Sequence, residues 1–265
     1  TIDLEGGAFG NDSAGETLTL SGVIEDSDSG GEALIKNGPG TVKLTGTNTY
    51  TGKTILQDGT LSISKDVNLG NAPGSTVADQ LTFDGGTLNV SADLTLDTNR
   101  GITLNGGNGT IDVDSSQALT YGGVVTGLGD LTKEGPGTVA LQGASPNTYS
   151  GSTTVNDGTL ALNKSVGTDA LGDGTGDVTI ATGAKVEILA DNQIDNNTNI
   201  TLDGGTLSLG NDVSEGGTTD NSSGINMLQL NANSDIAFAT DDTMPSIINI
   251  ADLVTNSSNL RVLNW

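Results

Sequence analysis

Aliphatic and polar residues alternate with a period of two along nearly the whole chain. Pairs of aliphatic residues each enclose a single residue, and this spacing predicts short β-strands with one buried face. No segment shows a period of 3.6, so little or no helix is predicted. The pairs are Leu18/Leu20, Val42/Leu44, Leu61/Ile63, Leu81/Phe83, Leu88/Val90, Leu94/Leu96, Ile102/Leu104, Ile111/Val113, Val139/Leu141, Leu160/Leu162, Val178/Ile180, Val186/Ile188, Ile200/Leu202, Leu207/Leu209 and Leu228/Leu230.

Glycines that precede the strands mark a longer period. Successive ones are 19 to 28 residues apart, the length of two or three short strands with their turns. The strings DGTLSI, DGGTLNV, DGTLAL and DGGTLSL place the same turn and the same inward aliphatics at intervals. Stacked rungs need such ladders, whereas a β-sandwich does not. The glycines are Gly40, Gly59, Gly86, Gly109, Gly137, Gly158, Gly183 and Gly205.

These patterns predict an all-β fold, a right-handed parallel β-helix (β-solenoid) of roughly twelve rungs. A rung is one full circuit of the chain around the solenoid axis. Residues 1–210 are predicted to form the repeat-bearing solenoid. Residues 211–265 are predicted to form less regular terminal rungs and a C-terminal cap of the same solenoid.

Composition narrows the range of functions. The 265 residues include 40 Gly and 3% aromatics, with no Cys or His, and the net charge is −24. The acidic balance argues against nucleic acid as a partner, because that partner needs clustered Lys and Arg. No apolar run approaches the length of a membrane span, so direct membrane insertion of this segment is not expected. Without His or Cys there is no Ser-His triad, thiol nucleophile or imidazole metal site.

One long segment occurs twice. Residues 37–64, NGPGTVKLTGTNTYTGKTILQDGTLSIS, return at residues 134–163 as EGPGTVALQGASPNTYSGSTTVNDGTLALN. This segment resembles the passenger-associated transport repeat, also called the autotransporter-associated β-strand repeat. The matching residues are Gly38, Pro39, Gly40, Thr41, Leu44, Gly46, Asn48, Thr49, Tyr50, Gly52, Thr54, Gly59, Thr60 and Leu61, then Gly135, Pro136, Gly137, Thr138, Leu141, Gly143, Asn147, Thr148, Tyr149, Gly151, Thr153, Gly158, Thr159 and Leu160.

The resemblance implies a bacterial surface or secreted protein whose passenger region is a right-handed β-helix, often an adhesin or a self-association factor. It places the chain outside the cell or on the bacterial surface. The expected partners are another copy of the chain, or a protein or glycan of a host or cell surface.

Turn chemistry explains most of the repeated residues. Proline fixes φ near −65° and glycine reaches positive φ, so each Gly-Pro-Gly predicts a sharp corner. The predicted structural turn residues are Gly38, Pro39, Gly40, Gly59, Gly135, Pro136, Gly137 and Gly158.

Two groups of residues are candidates for contact with a ligand or partner. Tyr50 and Tyr149, with Asn48 and Asn147, offer a stacking face and hydrogen-bonding groups. The alternative is structural, with the ring covering the solenoid edge while Asn bonds the turn. Leu263 and Trp265 in the C-terminal NLRVLNW lie on a strand that is apolar on both faces, which predicts either a cap or a contact with another subunit.

Asp26, Asp28 and Glu32 are a weak calcium candidate. Their oxygens suit Ca²⁺, but Gly30 stands where the calcium-loop pattern has a third Asp or Asn, and the twelfth-position Glu is missing. No other cofactor is predicted.

The function predicted is a non-catalytic extracellular rod that carries repeated weak contacts, so that avidity comes from repetition. One alternative is a subunit that stacks end to end into a surface filament. A second alternative is a carbohydrate-active β-helix enzyme, which is disfavoured because nine basic residues leave no positively charged groove.

Overall fold

A computed structural model describes residues 2–4, 8–10, 14–27, 30–215, 224–239 and 246–263. Within these ranges the chain forms β-strands and one 3₁₀ helix, Asp66–Leu69, and no α-helix. The strands are β1 (Ile2–Leu4), β2 (Ala8–Gly10), β3 (Thr17–Leu20), β4 (Ile24–Asp26), β5 (Leu34–Asn37), β6 (Thr41–Leu44), β7 (Thr54–Leu56), β8 (Thr60–Ile63), β9 (Val77–Phe83), β10 (Thr87–Val90), β11 (Leu94–Leu96), β12 (Arg100–Leu104), β13 (Gly109–Val113), β14 (Ala118–Tyr121), β15 (Val125–Gly127), β16 (Leu131–Glu134), β17 (Thr138–Gly143), β18 (Thr153–Val155), β19 (Thr159–Lys164), β20 (Val178–Ala181), β21 (Lys185–Ile188), β22 (Asn199–Asp203), β23 (Thr206–Leu209), β24 (Ser214–Glu215), β25 (Ile225–Leu230), β26 (Ser234–Phe238), β27 (Ile247–Ile248), β28 (Ile250–Val254) and β29 (Leu260–Leu263).

The strands stack into three long parallel sheets. The long face contains 11 strands in the order β3, β6, β8, β10, β13, β16, β18, β20, β22, β25 and β28. The eight-strand face runs β11, β14, β17, β19, β21, β23, β26 and β29, and the six-strand face runs β2, β5, β7, β9, β12 and β15. Consecutive strands such as β12, β13 and β14 lie on different faces, and the chain returns to the first face at β15.

This arrangement is a β-solenoid and confirms the predicted fold class. Eleven stacked strands correspond to about 10 rungs, fewer than the predicted twelve because several rungs contain extra turn segments. At about 4.8 Å between stacked strands, the rod is on the order of 50 Å long.

Inward residues form continuous apolar ladders. Val42, Leu61, Leu88 and Ile111 occupy successive positions in register on the long face, and all four are buried. The buried side chains of all three faces form one core. A single rung cannot cover its own apolar edge, so each rung is stabilised by the rungs on either side of it.

The two copies of the repeat lie on different faces of the rod. In the first copy the strands β5 and β7 lie on the six-strand face, whereas β6 and β8 lie on the long face. In the second copy the equivalent strands β16 and β18 lie on the long face, whereas β17 and β19 lie on the eight-strand face. The second copy is therefore displaced around the axis by one face, and equivalent residues of the two copies do not stack.

In each copy an irregular segment, which contains Asn48 in the first copy and Asn147 in the second, takes the place of a strand on one face. Its backbone still forms hydrogen bonds with the neighbouring rungs. In the first copy, Thr49 N donates to Ile24 O at 2.8 Å, and Asn48 N donates to Val67 O at 3.1 Å. In the second copy, Thr148 N donates to Val125 O at 2.8 Å. These segments satisfy the backbone groups of the neighbouring strands, which otherwise would be left unpaired.

A buried arginine holds the 3₁₀ helix against the core. Arg100 is 1% exposed, and its Nε and Nη2 atoms donate to the Asp66 carboxylate at 2.9 and 3.1 Å. Nη1 donates to Leu69 O at 2.8 Å, and Nη2 also donates to Gly70 O at 2.6 Å. Four bonds therefore converge on the helix and on the residue after it.

Core ladders become exposed at the last described rung. Leu253 stacks on Leu228 and Val262 stacks on Ile236, but Leu253 and Val262 remain 48% and 44% exposed. The division predicted at residue 210 stays a prediction. Among the described residues no helix is long and apolar enough to cross a membrane.

Candidate functional site

The Gly-Pro-Gly segments form the predicted corners in both copies. Gly38 and Gly135 each have φ of 73°, in the left-handed region that favours glycine. Pro39 and Pro136 are exposed at the tips of these corners. The chain can therefore turn from one face of the solenoid to the next without burying the proline, which has no N–H to pair.

The second glycine of each segment has a different role from the one predicted. Gly40 and Gly137 do not have positive φ, so that part of the prediction is wrong. A Cβ at Gly137 would collide with the carbonyl oxygens of Asp114 and Gln117 in the preceding rung. Close approach of stacked backbones, and not an unusual φ, requires glycine there.

Gly59 and Gly158 close the next rung directly under these corners, with φ of 61° and 63°. A Cβ at Gly158 would fall inside van der Waals contact of the Gly135 and Gly137 carbonyl oxygens, and a Cβ at Gly59 would meet the equivalent oxygens of the first copy. Both the positive φ and the lack of room for a Cβ atom therefore require glycine at these two positions.

A buried lysine binds each pair of stacked corners, and the sequence analysis missed both. Lys36 is 1% exposed, and its Nζ donates to the carbonyls of Asn37, Gly38 and Asp58 at 3.0, 2.6 and 2.8 Å. Lys133 bonds the equivalent carbonyls of the second copy. The available signal was a lysine at an inward position directly before both corners, in KNGPG and KEGPG.

Burial lowers the pKa of Lys36 and Lys133, that of Lys133 to about 8. A pKa of about 8 keeps Lys133 mostly as an ammonium group with three N–H donors at neutral pH. Three carbonyl acceptors use all of them, so the buried charge is fully hydrogen-bonded. These lysines are part of the scaffold and are not exposed to a ligand.

The tyrosines proposed as contact residues are inside the rod. Tyr50 and Tyr149 are both fully buried, and their hydroxyl groups form hydrogen bonds with Thr54 and Thr153 at 2.7 and 2.6 Å. Burial raises the pKa of both phenols. The contact interpretation is corrected on this ground, because neither ring presents a surface to a partner.

The asparagines of the same segments are also buried. Asn48 Oδ1 accepts from Ile24 N at 2.9 Å, and its Nδ2 donates to Asn68 O at 2.6 Å. Asn147 bonds Val125 N and Ala170 O in the same way. Each amide replaces the backbone bonds that a regular strand would make, so the contact interpretation is corrected here too.

Two members of the calcium candidate are described. Asp26 Oδ2 accepts from Thr51 N and Thr51 Oγ1 at 2.9 and 2.6 Å, and Glu32 Oε1 accepts from Ser27 Oγ at 2.6 Å. Asp28 lies outside the described residues. Within the described ranges no cluster of three acidic side chains is placed to hold a metal ion. The calcium site stays a prediction.

The C-terminal candidates are described only in part. Leu263 ends β29 in register with Ala237 of β26 and is partly buried. Trp265 lies outside the described residues, so its predicted role as a cap or a subunit contact stays a prediction.

Glu215 is a buried carboxyl group that the sequence analysis did not single out. It is fully buried; its Oε1 accepts from Gln193 N at 2.6 Å, whereas its Oε2 has no hydrogen-bond partner in the part of the chain that the structure describes. Burial, together with the nearby carboxylates of Asp169 and Asp191, raises the pKa of Glu215 to about 8. At neutral pH the folded protein therefore holds this group mostly in its protonated form.

The raised pKa predicts acid-favoured stability. The unfolded chain ionises Glu215 near its usual pKa of 4.5, whereas the folded chain retains the proton up to about pH 8. The contribution of Glu215 to the free energy of unfolding should therefore fall by about 2–4 kcal/mol between pH 5 and pH 8. This contribution is measured by urea unfolding of the wild type and of Glu215→Gln between pH 5 and pH 8. Parallel pH curves for the two proteins would show that Glu215 is already ionised in the fold.

A column of threonines runs along the outside of the long face. Nine threonines follow one another in register, one on each of nine consecutive strands, and eight of them are partly buried while Thr17 is exposed. They are Thr17, Thr41, Thr60, Thr87, Thr110, Thr132, Thr154, Thr179 and Thr201. We call this set the threonine column. Its members are about 4.8 Å apart, the spacing of stacked strands.

The threonine column does not follow from the repeat motif alone. Because the two copies occupy different faces, the second copy contributes Thr132 and Thr154, whereas the first copy has Ile35 and Ile55 at the equivalent positions on the six-strand face. At these two positions threonine occurs in the copy that lies on the long face, whereas Thr41 and Thr60 keep threonine in both copies, as Thr138 and Thr159 on the eight-strand face. A strand requires only a residue that suits a pleated surface, and isoleucine meets that need equally well.

The hydroxyl groups of the column are free to bind. Among the described residues, none of them forms a hydrogen bond with another protein group, whereas the neighbouring column does: Ser62 Oγ bonds Asn89 Oδ1 at 2.8 Å, and Asn89 Nδ2 bonds Asp112 Oδ2 at 3.0 Å. A row of regularly spaced donors and acceptors is thus left for solvent or a ligand.

The long face also carries acidic charge. Asp112, Glu134 and Asp203 lie two residues after column threonines on the same strands. The four ion pairs between described residues lie elsewhere: Lys53 with Asp79, Arg100 with Asp66, Lys185 with Glu187 and Arg261 with Asp235. An anionic ligand is therefore disfavoured on this face.

Comparison with known proteins identifies the repeated segment. The family model of the passenger-associated-transport-repeat matches residues 34–63 and 131–162. The chain thus carries two such repeats, and the resemblance seen in the sequence is confirmed. A stretch of 158 residues, 60% of the chain, is 40% identical to a protein named "Adhesin BmaC autotransporter" from Brucella suis biovar 1 (strain 1330). The match covers 4% of that adhesin. No solved structure matches the chain.

Proposed function

We propose that this chain is a non-catalytic segment of an extracellular adhesive rod on a bacterial surface, and that the threonine column is its contact surface. The observation that carries the proposal is the column itself, nine aligned threonines whose hydroxyl groups have no partner within the described protein. The two passenger-associated transport repeats and the similarity to an autotransporter adhesin support the surface location and the adhesive role.

The mechanism follows from the geometry. A single hydroxyl contact contributes only about 0.5–1.5 kcal/mol, which is too weak to hold a cell. The solenoid repeats the contact on each rung at a constant spacing, so the second and later contacts form at high effective concentration. The stacked core keeps the spacing rigid, which lowers the entropy cost of engaging several rungs together.

The acidic surroundings restrict the partner. Uncompensated carboxylates beside the column repel anionic polymers such as nucleic acid. A neutral or basic cell-surface glycan or protein fits this surface, and we assign the partner to that class.

An isosteric substitution tests the proposal. Thr110→Val/Thr132→Val removes two adjacent hydroxyl groups of the column while it keeps the shape and the β-branched character of the side chains. Beads coated with this variant should detach from cultured epithelial cells under flow about tenfold faster than wild-type beads, because two hydrogen bonds are lost.

The matched control is Thr138→Val/Thr159→Val, two threonines that are adjacent in register on the eight-strand face. This variant should adhere like the wild type. Equal adhesion of both variants, or a greater loss in the control, would contradict the assignment of the long face as the contact surface.

A further inference from the structure

Three successive corners near the C-terminal end border an open pocket of about 450 Å³. It is lined by Gly204, Asn233, Asp235, Asn259 and Arg261. Its volume falls within the range of about 300–1,000 Å³ that is usual for small-molecule sites. The sequence analysis assigned no function to these residues.

The walls of the pocket are held in place. Arg261 Nε and Nη2 donate to Asp235 Oδ1 and Oδ2, both at 2.7 Å, in a bidentate pair. Asn259 N donates to Asn233 Oδ1 at 2.9 Å, which links two consecutive corners. Planar bidentate pairs fix the orientation of both partners relative to each other.

A close-packed glycine forms one edge of the pocket. Gly204 has φ of 84°, and a Cβ there would collide with Thr182 Oγ1 of the preceding rung. The corner therefore carries no side chain at the place where the two following corners carry Asn233 and Asn259.

The polar groups that remain free include both hydrogen-bond donors and hydrogen-bond acceptors. Arg261 has five N–H groups and uses one on Nε and one on Nη2, so three remain. Asn233 retains its NH₂ group, and the Asp235 oxygens retain lone pairs. Because Asp235 and Arg261 compensate each other, the pocket has no net charge of its own.

We propose that this pocket binds one unit of a neutral sugar through its adjacent hydroxyl groups. Vicinal hydroxyls are donors and acceptors at a short fixed spacing, and a carboxylate, a guanidinium group and two amides supply the complementary set. An anionic sugar is disfavoured by the net charge of −24, and the Asp235–Arg261 pair leaves no unpaired carboxylate for a basic sugar. The inference rests on the proposed function and names the ligand class of a glycan-binding rod.

Nuclear magnetic resonance of the ¹⁵N-labelled chain tests the site. Titration with methyl β-galactoside, methyl β-glucoside and N-acetylglucosamine should move the backbone amides of Gly204, Asn233 and Asn259 in a saturable way for at least one sugar. N-acetylneuraminic acid, the anionic comparator, should bind at least tenfold more weakly. No saturable shift with any neutral sugar, or tighter binding of the anionic one, would overturn the proposal.

Variants separate binding from folding. Arg261→Ala and Asn233→Ala should each weaken the sugar-dependent shifts at least tenfold, whereas Asn156→Ala, an exposed asparagine on another rung, should leave them unchanged. An unchanged amide spectrum away from the pocket shows that the variants fold. Wild-type affinity in both pocket variants would overturn the proposal.

The same variants distinguish this inference from the function on which it rests. If no sugar binds but wild-type beads adhere and the threonine variant does not, the pocket assignment fails and the adhesive rod stands. If the pocket binds sugar but wild-type beads do not adhere, the proposed function fails and the pocket remains.

Discussion

Replacement of Arg100 with methionine should lower the free energy of unfolding by about 3–5 kcal/mol, the range measured when one partner of a buried ion pair is removed. The methionine fills part of the space but leaves the Asp66 carboxylate and the Leu69 and Gly70 carbonyls without their donor. Asp66 is only 22% exposed, so water cannot fully replace the guanidinium group.

Equilibrium denaturation in urea measures this loss. The matched control is Lys53→Met, since Lys53 forms an ion pair with Asp79 in which both side chains are nearly half exposed. That substitution should change stability by less than about 1 kcal/mol. Equal losses in the two variants would show that the arginine does not anchor the 3₁₀ helix to the core.

Replacement of Gly158 with alanine should cost about 3 kcal/mol or more. Alanine at this position has to keep a positive φ, which a residue with a side chain rarely adopts. Its Cβ also collides with the Gly135 and Gly137 carbonyl oxygens of the rung above. Those oxygens belong to backbone, so they cannot rotate away as a flexible side chain would.

Gly183→Ala separates the two causes. Gly183 also has a positive φ, 84°, but no atom lies within 4 Å of the position of its Cβ. Gly183→Ala should therefore lower the free energy of unfolding by only about 1–2 kcal/mol, the cost of the positive φ alone. Lys43→Thr, on the outer surface of β6, should stay within about 0.5 kcal/mol of the wild type. Thermal and urea unfolding of the three variants gives the comparison; a Gly158→Ala loss no larger than that of Gly183→Ala would show that the corners are not closely stacked.

The repeating elements of the fold are readable from the chain because they depend on local patterns. The pairs Val42/Leu44 and Leu61/Ile63 alternate as a half-buried strand must, and the structure places all four in the core. Gly59 was predicted at a turn from its position before a strand, and it lies at one with a positive φ.

The rotation of the second copy around the axis was not predictable in this way. It depends on how many strands separate the copies and on which segments replace a strand, such as the one that contains Asn48 and Tyr50. Those segments look polar and loop-like in sequence, and only the stacking reveals that Tyr50 is buried under the next rung. The error in the contact assignment has this origin.

The threonine column was hidden for the same reason. Thr60 follows a turn glycine, whereas Thr132 and Thr154 occupy other positions of the motif, so the repeated motif by itself does not align them. The register of stacked strands brings them into one line. Lys36 and Lys133 carried a clearer signal, because a charged residue at an inward position is costly unless it has partners.

The dissociation rate of beads from cells, measured as column threonines are replaced one at a time, tests the central claim most directly. Valine at Thr87, Thr110, Thr132 and Thr154, singly and in every combination, should raise the rate by a similar factor for each substitution, whichever rung is altered, with a cumulative loss in the fourfold variant. A rate that depends on one position alone, or that stays at the wild-type value in the fourfold variant while its fold is intact, would contradict an adhesive rod that acts by repeated contacts.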